Sequence, residues 1–331
     1  MGRHHSHPLT WAGMLVTLGI IFGDIGTSPL YVFKAIAVGQ GISRELVMGA
    51  VSCIFWTLTL QTTFKYILLV LRADNRGEGG VFALYALVRR FGKWAYLPAL
   101  VGAASLLVDG MLTPPISVAS AIEGLGGIST MEGIIEPGNR LTIGIVILII
   151  SMLFFYQRFG TKVVGTTFGP IMLIWFTMLL VLGLVQVLEH PYIIGALNPA
   201  WGVHLLTKYP GGFWLLGGVF LCTTGAEGLY NDLGHCGLKN IQATWIYVKI
   251  ALVLNYMGQG AWLMEHLGET LGERNPFYEL MPHWFLLAGV GISTAAAIVA
   301  CQAVISGSFT LINEAITLNF WPRVRVKFPT D

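Results

Sequence analysis

The sequence predicts an all-α integral membrane protein with about eight transmembrane helices, and three observations carry that prediction. Apolar residues make up 55% of the 331 and charged residues 11%, against the roughly 25% charged that is usual in a soluble domain. Eight stretches are long and apolar enough to cross hydrocarbon, which takes about 20 residues of α-helix: 10–36, 46–71, 96–126, 141–157, 164–189, 212–232, 243–265 and 284–317. The basic residues fall on alternate connections between those stretches, as the positive-inside rule requires.

With residues 1–9 in the cytoplasm, that side holds Arg3, Arg72, Arg76, Arg89, Arg90, Lys93, Arg158, Lys162, Lys239, Arg323, Arg325 and Lys327. The other side holds Arg44, Arg140, Lys208 and Arg274, among Glu189, Glu265, Glu269, Glu273 and Glu279. Twelve against four orients the chain with both ends inside, in a cell membrane such as the bacterial inner membrane. A total of 19 Lys+Arg against 17 Asp+Glu gives no sign of a nucleic-acid partner; the expected surroundings are a lipid bilayer.

The first stretch is too long and too polar at its centre for a signal peptide, and no small-residue cleavage site follows it. It carries Gly23-Asp24-Ile25-Gly26-Thr27-Ser28-Pro29-Leu30-Tyr31 in mid-membrane. Broken backbone survives in lipid only where it is buried in protein or lines a polar cavity, and an ionisable residue there is functional by default. Asp24 offers a hard anionic oxygen, while Thr27, Ser28 and the carbonyls freed around Pro29 offer neutral ones. That combination suits a cation stripped of water.

After the second stretch comes a loop dense in charge and glycine, 72–80, followed by the apolar and basic run 81–90. One reading is a solvated turn leading into an amphipathic helix on the inner leaflet. The other is a cytoplasmic gate under the first helix, built on Arg72, Asp74 and Glu78.

The third stretch is expected to break at Thr113-Pro114-Pro115, because two prolines remove backbone donors. Asp109, Thr113 and Ser117 recur every four residues and share one helical face, a second cation position. Threonine back-bonding at a proline kink is the structural alternative. Glu123, near the outer end, is a gate residue or reaches the interface.

The sixth stretch repeats the design of the first, with Thr224, Gly225, Glu227 and Gly228 deep in an apolar run. Paired interrupted helices at matching points of two halves point to a transporter site, and the opposite directions of the two suit inverted repeats of five helices. Thr224 and Glu227 face the same cavity as Asp24 on this reading. Asn255 and Gln259 in the seventh stretch, and Ser306, Ser308, Asn313 and Glu314 in the eighth, read as interhelical hydrogen bonds worth around 0.6 kcal/mol.

Other signals are excluded. Cys53, Cys222, Cys236 and Cys301 lack metal or disulfide spacing, and His4, His5 and His7 belong to a polar terminus. Asn198-Pro199-Ala200 matches an aquaporin tripeptide, but a single copy in an outer loop cannot build that pore. No carbonyl-ring potassium filter and no HExxH or GxSxG enzyme motif is present.

The segments at 23–31, 72–80, 112–118, 120–125, 168–173, 224–230, 254–260 and 302–307 together resemble the KUP/HAK/KT family of potassium uptake permeases, in order and spacing through almost the whole chain. That family belongs to the larger group of amino acid, polyamine and cation transporters with inverted five-helix repeats. The resemblance implies uptake of potassium by symport with protons, with K+ and H+ as cargo and no resident cofactor. It implies Asp24, Tyr31 and Thr224 as potassium-binding residues, Asp109 with Thr113 and Ser117 as the third-helix site, and Glu227 as the proton-linked carboxylate, with Asp109 as the other candidate. Family members resemble twelve-helix proteins with a cytoplasmic tail. This chain then corresponds to a full first repeat, 10–189, the first three helices of the second, 190–321, and a short cytoplasmic end, 322–331. Alternatives within the sequence are an organic solute permease of the same group, which Asp24 disfavours by repelling a substrate carboxylate, and a non-transporting fragment or interaction subunit. A homodimer is one way eight helices would suffice.

Overall fold

The computed structural model describes residues 8–75, 77–127, 138–157 and 162–323. Arg3, His4, His5, His7, Arg76, Arg158, Arg325 and Lys327, used above for charge and termini, lie outside the described residues. Every regular element among the described residues is helical.

The first stretch folds as α1 (Trp11–Ile20), α2 (Gly23–Thr27), a single tight turn (Ser28–Leu30) and α3 (Val32–Ala37). The hydroxyl of Thr10 caps α1 by accepting from Gly13 N. Glycines weaken the helix and Pro29 has no N–H to give, so Trp11–Ile20 and Gly23–Leu30 meet at 67°.

The second, α4 (Arg44–Thr57), continues through widened turns (Leu58–Leu69) to Arg72. The hydroxyls of Thr59 and Thr63 bond back to Phe55 O and Leu58 O along that segment. A loop leads to α5 (Val81–Val88) and then α6 (Tyr96–Glu123).

The break expected at Thr113 to Pro115 is absent: α6 is continuous for 28 residues with both prolines inside it. Neighbouring helices re-satisfy a proline-containing helix in a membrane. Here α15 packs along the proline segment, with the thiol of Cys301 donating to Pro114 O at 3.5 Å and Ser308 placed where a Cβ on Gly110 would collide.

The chain continues as α7 (Arg140–Gln157), α8 (Lys162–Glu189) and α9 (Pro199–Lys208). Asn198, in the aquaporin-like tripeptide, is a helix cap: its side chain accepts from Ala200 N at 3.0 Å. The sixth stretch divides into α10 (Gly212–Phe220), a turn through Gly225, α11 (Gly228–Asn231) and α12 (Leu233–Cys236). Last come α13 (Leu238–Glu265), α14 (Pro276–Glu279) and α15 (His283–Thr317).

Helix α13 lies at the centre, packed on α8, α4 and α1, while α15 packs on α6 and α2. Small residues allow the close approaches that membrane helices need. A Cβ on Gly183 of α8 would collide with the backbone at Leu254 of α13, and one on Gly169 with that at Leu15 of α1.

Among the described residues, four helices are long and apolar enough to cross a membrane: Arg44–Arg72, Lys93–Gly126, Thr167–Glu189 and His283–Thr317. The bent pair makes a fifth, and Arg140–Phe155 is shorter but apolar. Of the remaining two stretches, 212–232 is divided by its turn, and 243–265, within the 28-residue α13, carries Lys249, Asn255 and Gln259 among its apolar residues.

Candidate functional site

Three elements bring carboxylates to one point. Asp24 stands in the first turn of α2, just past the bend; Asp109 lies midway along α6; Glu227 occupies the turn before α11. One oxygen of each lies within 4.8 Å of the other two. Asp24 is 5% exposed, and its Oδ1 has no hydrogen-bond partner among the described residues. At 4.8 Å and an effective dielectric of about 20, each ionised pair repels by roughly 3 kcal/mol. Such a cluster calls for a cation or a proton.

The backbone around Gly225 permits this meeting. Its φ of +86° lies in the left-handed region open to glycine, and a Cβ there would stand 2.6 Å from Ile25 N.

A cavity of about 70 Å³ adjoins the three carboxylates, with Asn231, Asp232 and Ser308 as its further polar side chains. A water needs about 10–15 Å³ by this kind of measure, so several waters or a partly stripped ion fit. Leu106 of α6 and Val304 and Leu311 of α15 form the apolar wall. The cavity thus runs from the carboxylates along the carboxyl-terminal half of α15.

Hydroxyl groups extend the cluster. Thr113 Oγ1 donates to Asp109 Oδ1 at 2.8 Å, so this threonine serves the carboxylate rather than its own helix backbone. Thr27 Oγ1 donates to Asp24 O at 2.9 Å and lies 3.4 Å from Ser117 Oγ. Ser28 Oγ and Tyr31 OH are 3.3 Å apart. Thr224 is placed apart from these: it begins the turn, its N–H donates to Leu221 O at 3.3 Å, and it does not line the cavity.

Three of the carbonyls around Pro29, expected as neutral ligands, each accept one side-chain hydrogen bond and keep a second lone pair. Trp175 Nε1 donates to Gly26 O, Gln259 Nε2 to Pro29 O and Asn275 Nδ2 to Leu30 O. A buried carbonyl left without a donor is costly, and in lipid no water can fill the gap.

Arg72, Asp74, Glu78 and Glu123, expected at a gate, do not line the cavity. Glu123 Oε2 pairs with Lys34 Nζ at 2.7 Å, joining α3 to the carboxyl-terminal end of α6, with both side chains mostly buried. The loop at the other end packs on α11 and α12: Tyr230 OH donates to Ala73 O at 2.6 Å, and the Glu78 carboxylate lies against Gly234. Asp74 Oδ2 accepts from Gly77 N within the turn at 2.7 Å, and Arg72 is exposed.

The i, i+4 spacing of Asn255 and Gln259 in an apolar helix is a sequence signal of the hydrogen bond they share. Trp175, Asn275 and Lys34 carry no local signal, because each acquires its role from a residue far away in the chain.

The chain matches the family described as the K+ potassium transporter integral membrane domain over residues 11–331. It is 56% identical to the probable potassium transport system protein Kup of Cytophaga hutchinsonii over 334 residues, covering 99% of this chain and 50% of that protein. The protein of the same description from Flavobacterium johnsoniae is 56% identical, with 98% and 49% covered, and that from Clostridium perfringens (strain ATCC 13124) is 50% identical, with 98% and 50% covered. The chain spans about half the length of these curated relatives. No solved structure matches it.

Proposed function

The chain belongs to the family of K+ potassium transporter integral membrane domains, and from that premise we propose that it takes up potassium ions across the cell membrane by symport with protons. It is a membrane protein, as its family and its apolar helices require. The observation that carries the reading is the meeting of Asp24, Asp109 and Glu227 within 4.8 Å beside a break in a buried helix.

In this mechanism Asp24 replaces part of the ion's hydration shell, helped by the hydroxyls of Thr27, Ser117, Ser28 and Tyr31. Asp109, held by Thr113, and Glu227 share the negative charge that a proton relieves, since like charges so close disfavour joint ionisation. Binding of the proton then changes the site's charge and with it the affinity for potassium. Thr224 acts through the turn that presents Glu227 rather than through the cavity.

The architecture proposed is eight spans with the amino terminus inside, arranged as one complete five-helix repeat and three helices of its inverted partner. The breaks at 21–31 and 221–228 then face each other across the site, as transporters of this design arrange them. With the positive-inside orientation, the cavity lies on the cytoplasmic side of the carboxylates and the Lys34–Glu123 pair on the outer side. Half the length of the relatives favours a second reading: these helices form the ion-binding part of a longer permease and are silent alone. A homodimer would be a further means of completing the cavity.

Rubidium uptake by a potassium-transport-deficient bacterium tests both. The chain, its Asp24→Asn variant and a version extended with a relative's remaining helices are compared. Uptake by the chain that Asp24→Asn abolishes supports transport by these helices. Uptake only by the extended version supports the second reading. Uptake indifferent to Asp24→Asn in either version sinks the site assignment.

A further inference from the structure

The bend between Trp11–Ile20 and Gly23–Leu30 is held by three side-chain donors from three separate elements. Trp175 Nε1 reaches Gly26 O at 2.9 Å from α8, Gln259 Nε2 reaches Pro29 O at 3.0 Å from α13, and Asn275 Nδ2 reaches Leu30 O at 2.9 Å from the turn before α14. They lie 149, 230 and 245 residues along the chain from their acceptors. Trp175 and Gln259 are fully buried and Asn275 is 7% exposed.

The donors are themselves fixed. Gln259 Nε2 also donates to Asn255 Oδ1 at 2.8 Å, and Asn255 Nδ2 donates to Leu179 O at 3.2 Å. Asn275 Oδ1 accepts from Phe277 N at 3.1 Å, so one amide caps α14 and holds α2's exit at the same time. Polar networks with fixed members rigidify what they hold. What they hold here begins two residues after Asp24 and ends one residue before Tyr31.

We infer that Trp175, Gln259 and Asn275 are positioning residues of the cation site. They fix the angle at which Asp24 and Tyr31 are presented. They also engage one lone pair on each of three carbonyls of that segment. The ion's affinity therefore depends on donors that never touch it. This rests on the potassium-site reading above.

The test is equilibrium binding of radioactive rubidium to the purified chain in lipid nanodiscs. Gln259→Met removes a donor at nearly constant volume. Asn275→Asp keeps the cap on α14 but turns an acceptor toward Leu30 O. Loss of one such hydrogen bond predicts about tenfold weaker binding for each, with the helical signal and melting behaviour retained. Gln259→Glu is the diagnostic variant. Only its protonated carboxyl can donate to Pro29 O, so its binding relative to the parent at each pH should recover as pH falls and weaken as pH rises. A merely structural role predicts binding lost only where the melting transition falls with it, whereas a positioning role weakens binding in protein that stays folded, and this readout stands even where Gln259→Met fails to fold.

Asp24→Asn is measured alongside. Parent-like binding by the Gln259 and Asn275 variants, with binding lost in Asp24→Asn, overturns the positioning role and leaves the potassium site intact. Binding that survives Asp24→Asn overturns the site and this inference with it.

Discussion

A Cβ atom on Gly225 would stand 2.7 Å from Cβ of Asp24 and 2.9 Å from its Oδ2. The two interrupted segments thus touch through a glycine whose φ of +86° already excludes most other residues. Replacement by alanine costs about 1–2 kcal/mol for the left-handed backbone and roughly 1–3 kcal/mol for overpacking. Gly225→Ala should therefore lower the melting temperature in detergent and weaken rubidium binding by at least about tenfold, as displaced Asp24 leaves the cluster. Unchanged binding would show that the contact does not position Asp24.

Asp109 and Glu227 share one cavity, so neutralising either should alter the coupling of transport to protons. In proteoliposomes containing the extended version, Glu227→Gln or Asp109→Asn is expected to flatten the dependence of rubidium uptake on external pH. Thr113→Val, which removes the donor to Asp109 Oδ1, should give a weaker form of the Asp109→Asn effect. Transport insensitive to both carboxylate changes would defeat the proton assignment.

The Lys34–Glu123 pair is largely withdrawn from solvent, with side-chain exposures of 16% and 14%. Removing one partner strands the other charge, at a cost of roughly 3 kcal/mol. Glu123→Gln and Lys34→Met should each destabilise the chain, and the exchange Lys34→Glu with Glu123→Lys should restore most of the loss. Equal melting temperatures in all four proteins would place the pair among weak surface bridges.

Tyr230 ties the 72–80 loop to the sixth stretch through Ala73 O. Tyr230→Phe should remove about 1 kcal/mol and speed amide exchange in that loop, leaving α13 unchanged. Exchange that speeds equally in α13 would mean the bond supports the whole bundle.

Helical class, the apolar stretches and the two break points were legible in the sequence, because each is written in adjacent residues. A run of some 20 apolar side chains has few alternatives to a helix in lipid. A carboxylate between glycines in such a run, as at Asp24 and Glu227, is too costly to be idle. The face shared by Asp109, Thr113 and Ser117 follows from helical periodicity, and the structure keeps it.

Tertiary packing decided the rest. Two adjacent prolines locally argue for a break in α6, yet its packing on α15 keeps the helix continuous. The broken backbone around Pro29 leaves carbonyls without helical partners, and Trp175, Gln259 and Asn275 reach three of them from 149 to 245 residues away. Local sequence states which backbone groups lose their partners; only the folded chain settles who replaces those partners, because donor and acceptor meet across helices that share no sequence neighbourhood.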